Sequence, residues 1–127
     1  MGAWGHQFDE NDDAADWLGE FSDSPAWDAC AAAFSAIDGD YVEAPECSCA
    51  IAAAEVVAAG LGKPSDRLDD AIIDWATEHA DGAPSLKNAA VAALLRIRND
   101  SELAELWNEG DADEWLATID DLNSRLN

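Results

Sequence analysis

Between Cys49 and Leu61 the chain reads CAIAAAEVVAAGL, almost wholly apolar and rich in alanine. A helix that is apolar on all sides has no face to give to water, so it must lie among other elements. The alanines let those neighbours approach closely. Pro45 and Glu46 stand where its first turn begins, since proline suits a helix start and a carboxylate complements the N-terminal dipole. One residue breaks the apolar run. Glu55 carries a carboxylate into surroundings where it must find a donor or take up a proton.

The rest of the chain must supply helices to pack around this one, and its patterning does so. No alternating strand pattern occurs, whereas apolar residues recur at spacings of three and four between short loops. A first helix is expected over about residues 11–21, capped by Asp9, Asn11 or Asp12, with Ala14, Trp17, Leu18 and Phe21 inward. A second starts on Ser24 as cap and Pro25 as first helical residue. It puts Trp27, Cys30, Ala31, Phe34 and Ile37 on one face and ends in the turn Asp38-Gly39-Asp40. Gly62-Lys63-Pro64 ends the central helix. A fourth helix is expected over residues 65–79, with Leu68, Ile72, Trp75 and Ala76 inward and His79 at its end. A fifth follows a Ser85 cap and runs to about Ile97, with Leu86, Ala90, Ala93, Leu94 and Ile97 inward. A sixth spans about residues 101–109 and buries Leu103, Leu106 and Trp107. In the seventh, Asp111 acts as cap with Glu114 at the third position, and Trp115, Ile119, Leu122 and Leu126 share a face.

These elements describe an all-α protein, a single compact orthogonal bundle of six to seven short helices in one domain over residues 1–127. Residues 1–8 (MGAWGHQF) form a Gly-rich, aromatic, non-helical lead-in packed on the bundle, with Trp4 as a packing plug. A stack of helical hairpins is the alternative architecture, and the lack of a fixed repeat period counts against it.

The surface is constrained by charge. Acidic residues number 28 and basic residues 6, for a formal net charge of −22. A folded chain of this mass has a surface on the order of 6,500 Å², or about one uncompensated negative charge per ~300 Å². Direct nucleic-acid binding is excluded, because phosphate contacts need clustered Lys and Arg. A disordered acidic tail is excluded too, since such chains are poor in aromatics and this one has six Trp and three Phe. No apolar run reaches bilayer length, and the start of the chain lacks a signal-peptide pattern. A cytoplasmic location is expected.

The three cysteines are Cys30, Cys47 and Cys49. An odd count without a signal pattern fits a reducing compartment. Cys47-x-Cys49 is not the C-x-x-C of zinc knuckles, and residues two apart on a helix point to different faces. All three are read as small buried residues rather than as zinc ligands with His6 or His79. The segment Asp38-Gly39-Asp40-x-x-Glu43 has the wrong ligand order and length for a calcium loop. No G-x-G-x-x-G, Walker or H-E-x-x-H sequence and no defensible Ser-His-Asp spacing occurs, so no cofactor, metal or catalytic residue is assigned.

The binding candidates are Glu43, Glu46 and Glu55 with Asp40 and Tyr41 nearby, together with Trp4 and His6. Nine residues at about 100° each place Glu46 and Glu55 roughly 180° apart on one helix, so these two do not form a carboxylate pair. The structural reading is that Glu46 complements the helix N-terminus and Glu55 pairs with an arginine such as Arg96, or with backbone of the first segment. The functional reading is a buried acid that moves a proton or binds a cation.

Five ordered stretches resemble a known family: GAWG (residues 2–5), FDENDDAADWL (8–18), GDYVEAPE (39–46), AAAEVVAA (52–59) and NDSELAELW (99–107). The chain is similar over nearly its whole length to the bacterial domain of unknown function 4259, small proteins that open on such a GAWG motif. The resemblance implies a single helical domain and no assigned activity. The very low Lys content and the Cys47-x-Cys49 insert depart from the family pattern.

The leading functional expectation is a non-enzymatic acidic protein that binds a basic protein, as an immunity or antitoxin-like protein does, and is a monomer or small homo-oligomer. A second is a small hydrolase or transferase using Glu43 or Glu55 with His6 or Tyr41. A third is a salt-adapted structural protein without a specific partner. The placement of the carboxylates discriminates: an even spread favours salt adaptation, and one dense face favours a partner.

Overall fold

The computed structural model describes residue 8 and residues 11–39, 41–110 and 112–127. Among these residues the chain forms seven α-helices: α1 Asp12–Asp23, α2 Trp27–Ser35, α3 Ala44–Gly60, α4 Asp70–Glu78, α5 Lys87–Asn99, α6 Glu102–Asn108 and α7 Asp113–Leu126. The protein is all-α, as its patterning requires.

The run of apolar residues becomes α3, and every residue from Ala50 to Ala59 is buried. All six other helices pack against it. Its C-terminus closes in a Schellman turn: Gly62 takes φ +89°, and the Gly62 and Lys63 amides donate to the Ala59 and Ala58 carbonyls at 3.0 and 2.9 Å. Its N-terminus is capped from a distance. The Ala44 amide donates to Glu102 Oε1 at 2.7 Å, while the Glu102 amide donates to the Val42 carbonyl at 2.9 Å. The approach to α3 and the first turn of α6 thus satisfy each other's orphan amides.

The caps decide where the other helices begin. Asn11 accepts from the Ala14 amide at 2.8 Å and starts α1. Ser24 is the C-cap of α1, its amide donating to the Glu20 carbonyl, and α2 begins only at Trp27, without a side-chain cap. Ser65 holds a local turn by accepting from the Arg67 amide, so α4 begins only at Asp70, with Asp69 accepting from Ala71. Ser85 likewise fails to cap α5. Its hydroxyl donates to the Gly82 carbonyl, and a 3-10 turn over Pro84–Leu86 precedes the helix. Ser101 caps α6 and is buried, accepting from the Ala104 amide and donating to the Ile97 carbonyl. Asp111 lies outside the described residues, and α7 starts behind Ala112 with no side-chain cap.

The tryptophans are less central than expected. Trp115 is buried, whereas Trp17, Trp27, Trp75 and Trp107 lie half-buried against the rim of the core. Alanine fills the centre beneath these four. They interlock across helices: Trp17 stacks on Phe21, Phe21 meets Trp75 edge-on, and Trp75 packs on both Trp27 and His79. The Trp27 Nε1–H donates to the His79 carbonyl at 2.8 Å. This lays the indole against Gly60 and Gly82, where an added Cβ would overlap it. Phe8, the one described residue of the lead-in, is buried in the core.

Candidate functional site

Glu55 lies two-thirds of the way along α3 with its side chain 5% exposed. The partner that neutralises it is Arg125, in the last turn of α7, and not Arg96. Arg125 Nη1 and Nη2 donate to the two oxygens of Glu55 at 2.8 and 3.1 Å, a bidentate fork. Its Nε donates to Asp121 one turn earlier at 2.9 Å, and Nη1 also reaches the Lys63 carbonyl at 3.2 Å. Although desolvation opposes it, the two carboxylates hold the guanidinium pKa above its ordinary value. Arg96 is engaged elsewhere, with Asp100 and the Gly39 carbonyl.

A cleft of about 350 Å³ opens beside this pair, walled by Phe8, Ile51, Glu114, Thr118 and Leu122. It offers carboxylates and one engaged guanidinium. Among the described residues, no group of three or more His, Cys, Asp or Glu side chains is arranged to hold a metal ion.

The other candidates fall at the opposite end of α3. From Glu43 to Glu55 the helix rises about 18 Å, at ~1.5 Å per residue. Glu43 stands at the N-cap position of α3 without a side-chain cap bond, and Glu46 is exposed in its first turn. Tyr41 is 56% exposed, and its hydroxyl donates to Glu105 Oε2 at 3.0 Å. Desolvation, that bond and the negative charges of Glu102 and Glu105 push its phenol up to about 12. The structure therefore keeps Glu55 apart from Tyr41, Glu43 and Glu46. Trp4, His6 and Asp40 lie outside the described residues.

Sequence reasoning missed Arg125, Glu102 and Glu105. A signal for Arg125 existed. The chain has only four arginines, and Asp121 and Arg125 are spaced i, i+4 at the end of a helix. Nothing local marked Glu102 and Glu105, whose roles depend on the docking of α6 beside residues 41–44.

A second concavity, of about 430 Å³, lies between α1, α2 and the start of α3. Its floor is Ala29, Ala32, Ala33 and Ala36, with Trp17 and Pro45 as walls. Cys49 is half-buried there, its Sγ 3.8 Å from the Asp13 carbonyl. Desolvation and the charges of Asp13, Glu46, Glu20 and Asp16 push that thiol up to about 11. Cys30 and Cys47 are buried, and all three cysteines are free thiols. Burial pushes Cys30 up to about 12.

Carboxylates coat the molecule. Apart from Glu55 and Glu102, every described Asp and Glu is exposed. They occur on every helix except α5, which bears Lys87, Arg96 and Arg98 and no acid. Among the described residues, no helix is long and apolar enough to cross a membrane.

The chain matches, over residues 2–118, the model of a family described as a domain of unknown function (DUF4259), and it belongs to that family. No curated protein and no solved structure matches it. The matched residues include Glu55 and end before Arg125 and Asp121.

Proposed function

We propose that this is a non-enzymatic, cytoplasmic binding protein whose partner is a basic protein, in the manner of an immunity or antitoxin-like protein. The observation that carries the reading is the fate of the positive charges. Arg96, Arg98 and Arg125 all bond to acids of their own chain, while nearly all carboxylates face solvent. The field outside the molecule is therefore negative on almost every side, which speeds encounter with a cationic partner, although a spread this even suits the salt-adapted reading equally. Capture from lysate on the immobilised full chain, at low and at high salt, tests it. One cationic protein retained in preference to others of equal charge supports the reading, and retention that follows charge alone, or none at any salt concentration, overturns it.

The spread of carboxylates over six of the seven helices favours a second reading, adaptation of the whole surface to a salt-rich solvent. The two readings part on specificity. A coat alone retains cationic proteins in proportion to their charge, whereas a binding protein selects one of them.

A further inference from the structure

Charge spread over a whole surface attracts a basic partner without telling it where to sit. A seat needs a local feature within the coat. The groove between α1, α2 and α3 is that feature. Ala29, Ala33 and Ala36, one strip of α2, leave its floor bare of hydrogen-bonding groups, and no cation lines it. One acid, Glu46, lines the groove itself, and others stand close by. Asp13, Asp16 and Glu20 stand exposed on α1, and Glu46 on α3, all four near enough to the Cys49 sulfur for their charges to act on it.

We propose that this groove is the docking seat for a basic amphipathic helix of the partner protein. The inference rests on the binding reading given above. An extended peptide would bring unpaired amides onto a floor that cannot bond them, whereas a helix satisfies its own backbone. Helix-in-groove recognition sets apolar anchors at i, i+3 or i+4 and i+7. Small anchors of that spacing fill the alanine floor, and lysines or arginines flanking them meet Asp13, Asp16, Glu20 and Glu46.

The test uses the full chain and three synthetic peptides. One is an amphipathic helix of Lys with Ala and Leu on one face. One has the same composition scrambled, and one is the amphipathic sequence with Lys replaced by Gln. Two readouts are taken: binding affinity, and the rate at which a bulky maleimide alkylates Cys49, the one cysteine of the three that is not buried. Cationic charge near the thiol favours the thiolate and speeds alkylation, so a fall in rate reports covering. The amphipathic basic peptide is expected to slow Cys49 in step with its occupancy of the groove. The scrambled peptide binds the coat without slowing it, and the Gln peptide binds weakly. The substitution Ala32→Arg, at an exposed floor position, weakens the amphipathic peptide by about tenfold and leaves the scrambled one nearly unchanged. If both basic peptides bind in a salt-sensitive way and neither protects Cys49, the groove is overturned and the general binding reading stands. If neither basic peptide binds at any salt concentration, both fall. Cys49 protection that grows with protein concentration alone assigns the groove to a second copy of this chain and overturns the proposal.

Discussion

Arg125 and Glu55 stand 70 residues apart in sequence and meet through two parallel hydrogen bonds at the inner edge of α7. The guanidinium bridges the end of the last helix to the middle of the most buried one. Removing Arg125 takes both hydrogen bonds from a carboxylate that is 5% exposed, which costs about 3 kcal/mol or more, whereas removing Glu55 leaves Arg125 18% exposed and still bonded to Asp121 and the Lys63 carbonyl. We predict a loss of that order for Arg125→Met and a smaller one for Glu55→Gln, read as shifts in the urea midpoint. The double variant should lose less than the sum of the two. Strictly additive losses would show that the two side chains do not act as a unit.

Gly82 owes its identity to Trp27, and Gly60 to Trp27 and Ala83 together. A Cβ at either position would collide with the indole, and at Gly82 it would meet the Nε1 edge that bonds the His79 carbonyl. Gly82→Ala should cost about 1–3 kcal/mol through overpacking, and Gly82→Ala with Trp27→Ala should lose little beyond Trp27→Ala alone. Gly19, which has open space around it, is the control. At Gly19, inside α1, alanine should be neutral or stabilising through helix propensity, and an effect of Gly82→Ala no worse than that would overturn the collision.

The single tyrosine gives a clean titration. Its phenol is held near 12 in the folded chain, against about 10 when unfolded. A raised folded value means the folded state holds the proton more tightly. The resulting stabilisation is complete below pH 10 and is lost as the pH rises from 10 toward 12. Absorbance at the phenolate band should show a midpoint near 12 in buffer and near 10 in denaturant, with Glu105→Gln moving the folded value down. A folded midpoint near 10 would mean that the Glu105 bond is not formed in solution.

Added salt should stabilise the protein. At about 1 M the Debye length falls to ~3 Å, and repulsion between exposed carboxylates is screened. The melting temperature is expected to rise by roughly 5 °C or more, equivalent to about 1–2 kcal/mol for a domain of this size. KCl and NaCl should act alike if screening is the cause. A flat response would remove self-repulsion as a term in stability.

The helical class and the central place of α3 were legible because an apolar run of that length has no other soluble home. The seven helices were legible from spacing. Their starts were not, wherever a serine had two uses: Ser24, Ser65 and Ser85 each look like N-caps, and each is bound into a neighbouring turn instead. The need of Glu55 for a partner could be read from its surroundings, but the choice of Arg125 over Arg96 depends on how α7 lies along α3. The separation of Glu46 from Glu55 followed from helix geometry alone. The alanine-floored groove was invisible in the sequence, because it belongs to three helices and to none of them singly.

Because α3 touches all six other helices, no subset of the chain can detach and leave a finished core behind. The amides of Ala50 to Ala59 should then exchange with deuterium only when the molecule opens globally, at one common free energy of opening. Substitutions at the periphery should cost less stability for the same reason. A change at Ala54 is felt by the whole assembly, whereas one at Asp74 is felt mainly by the solvent.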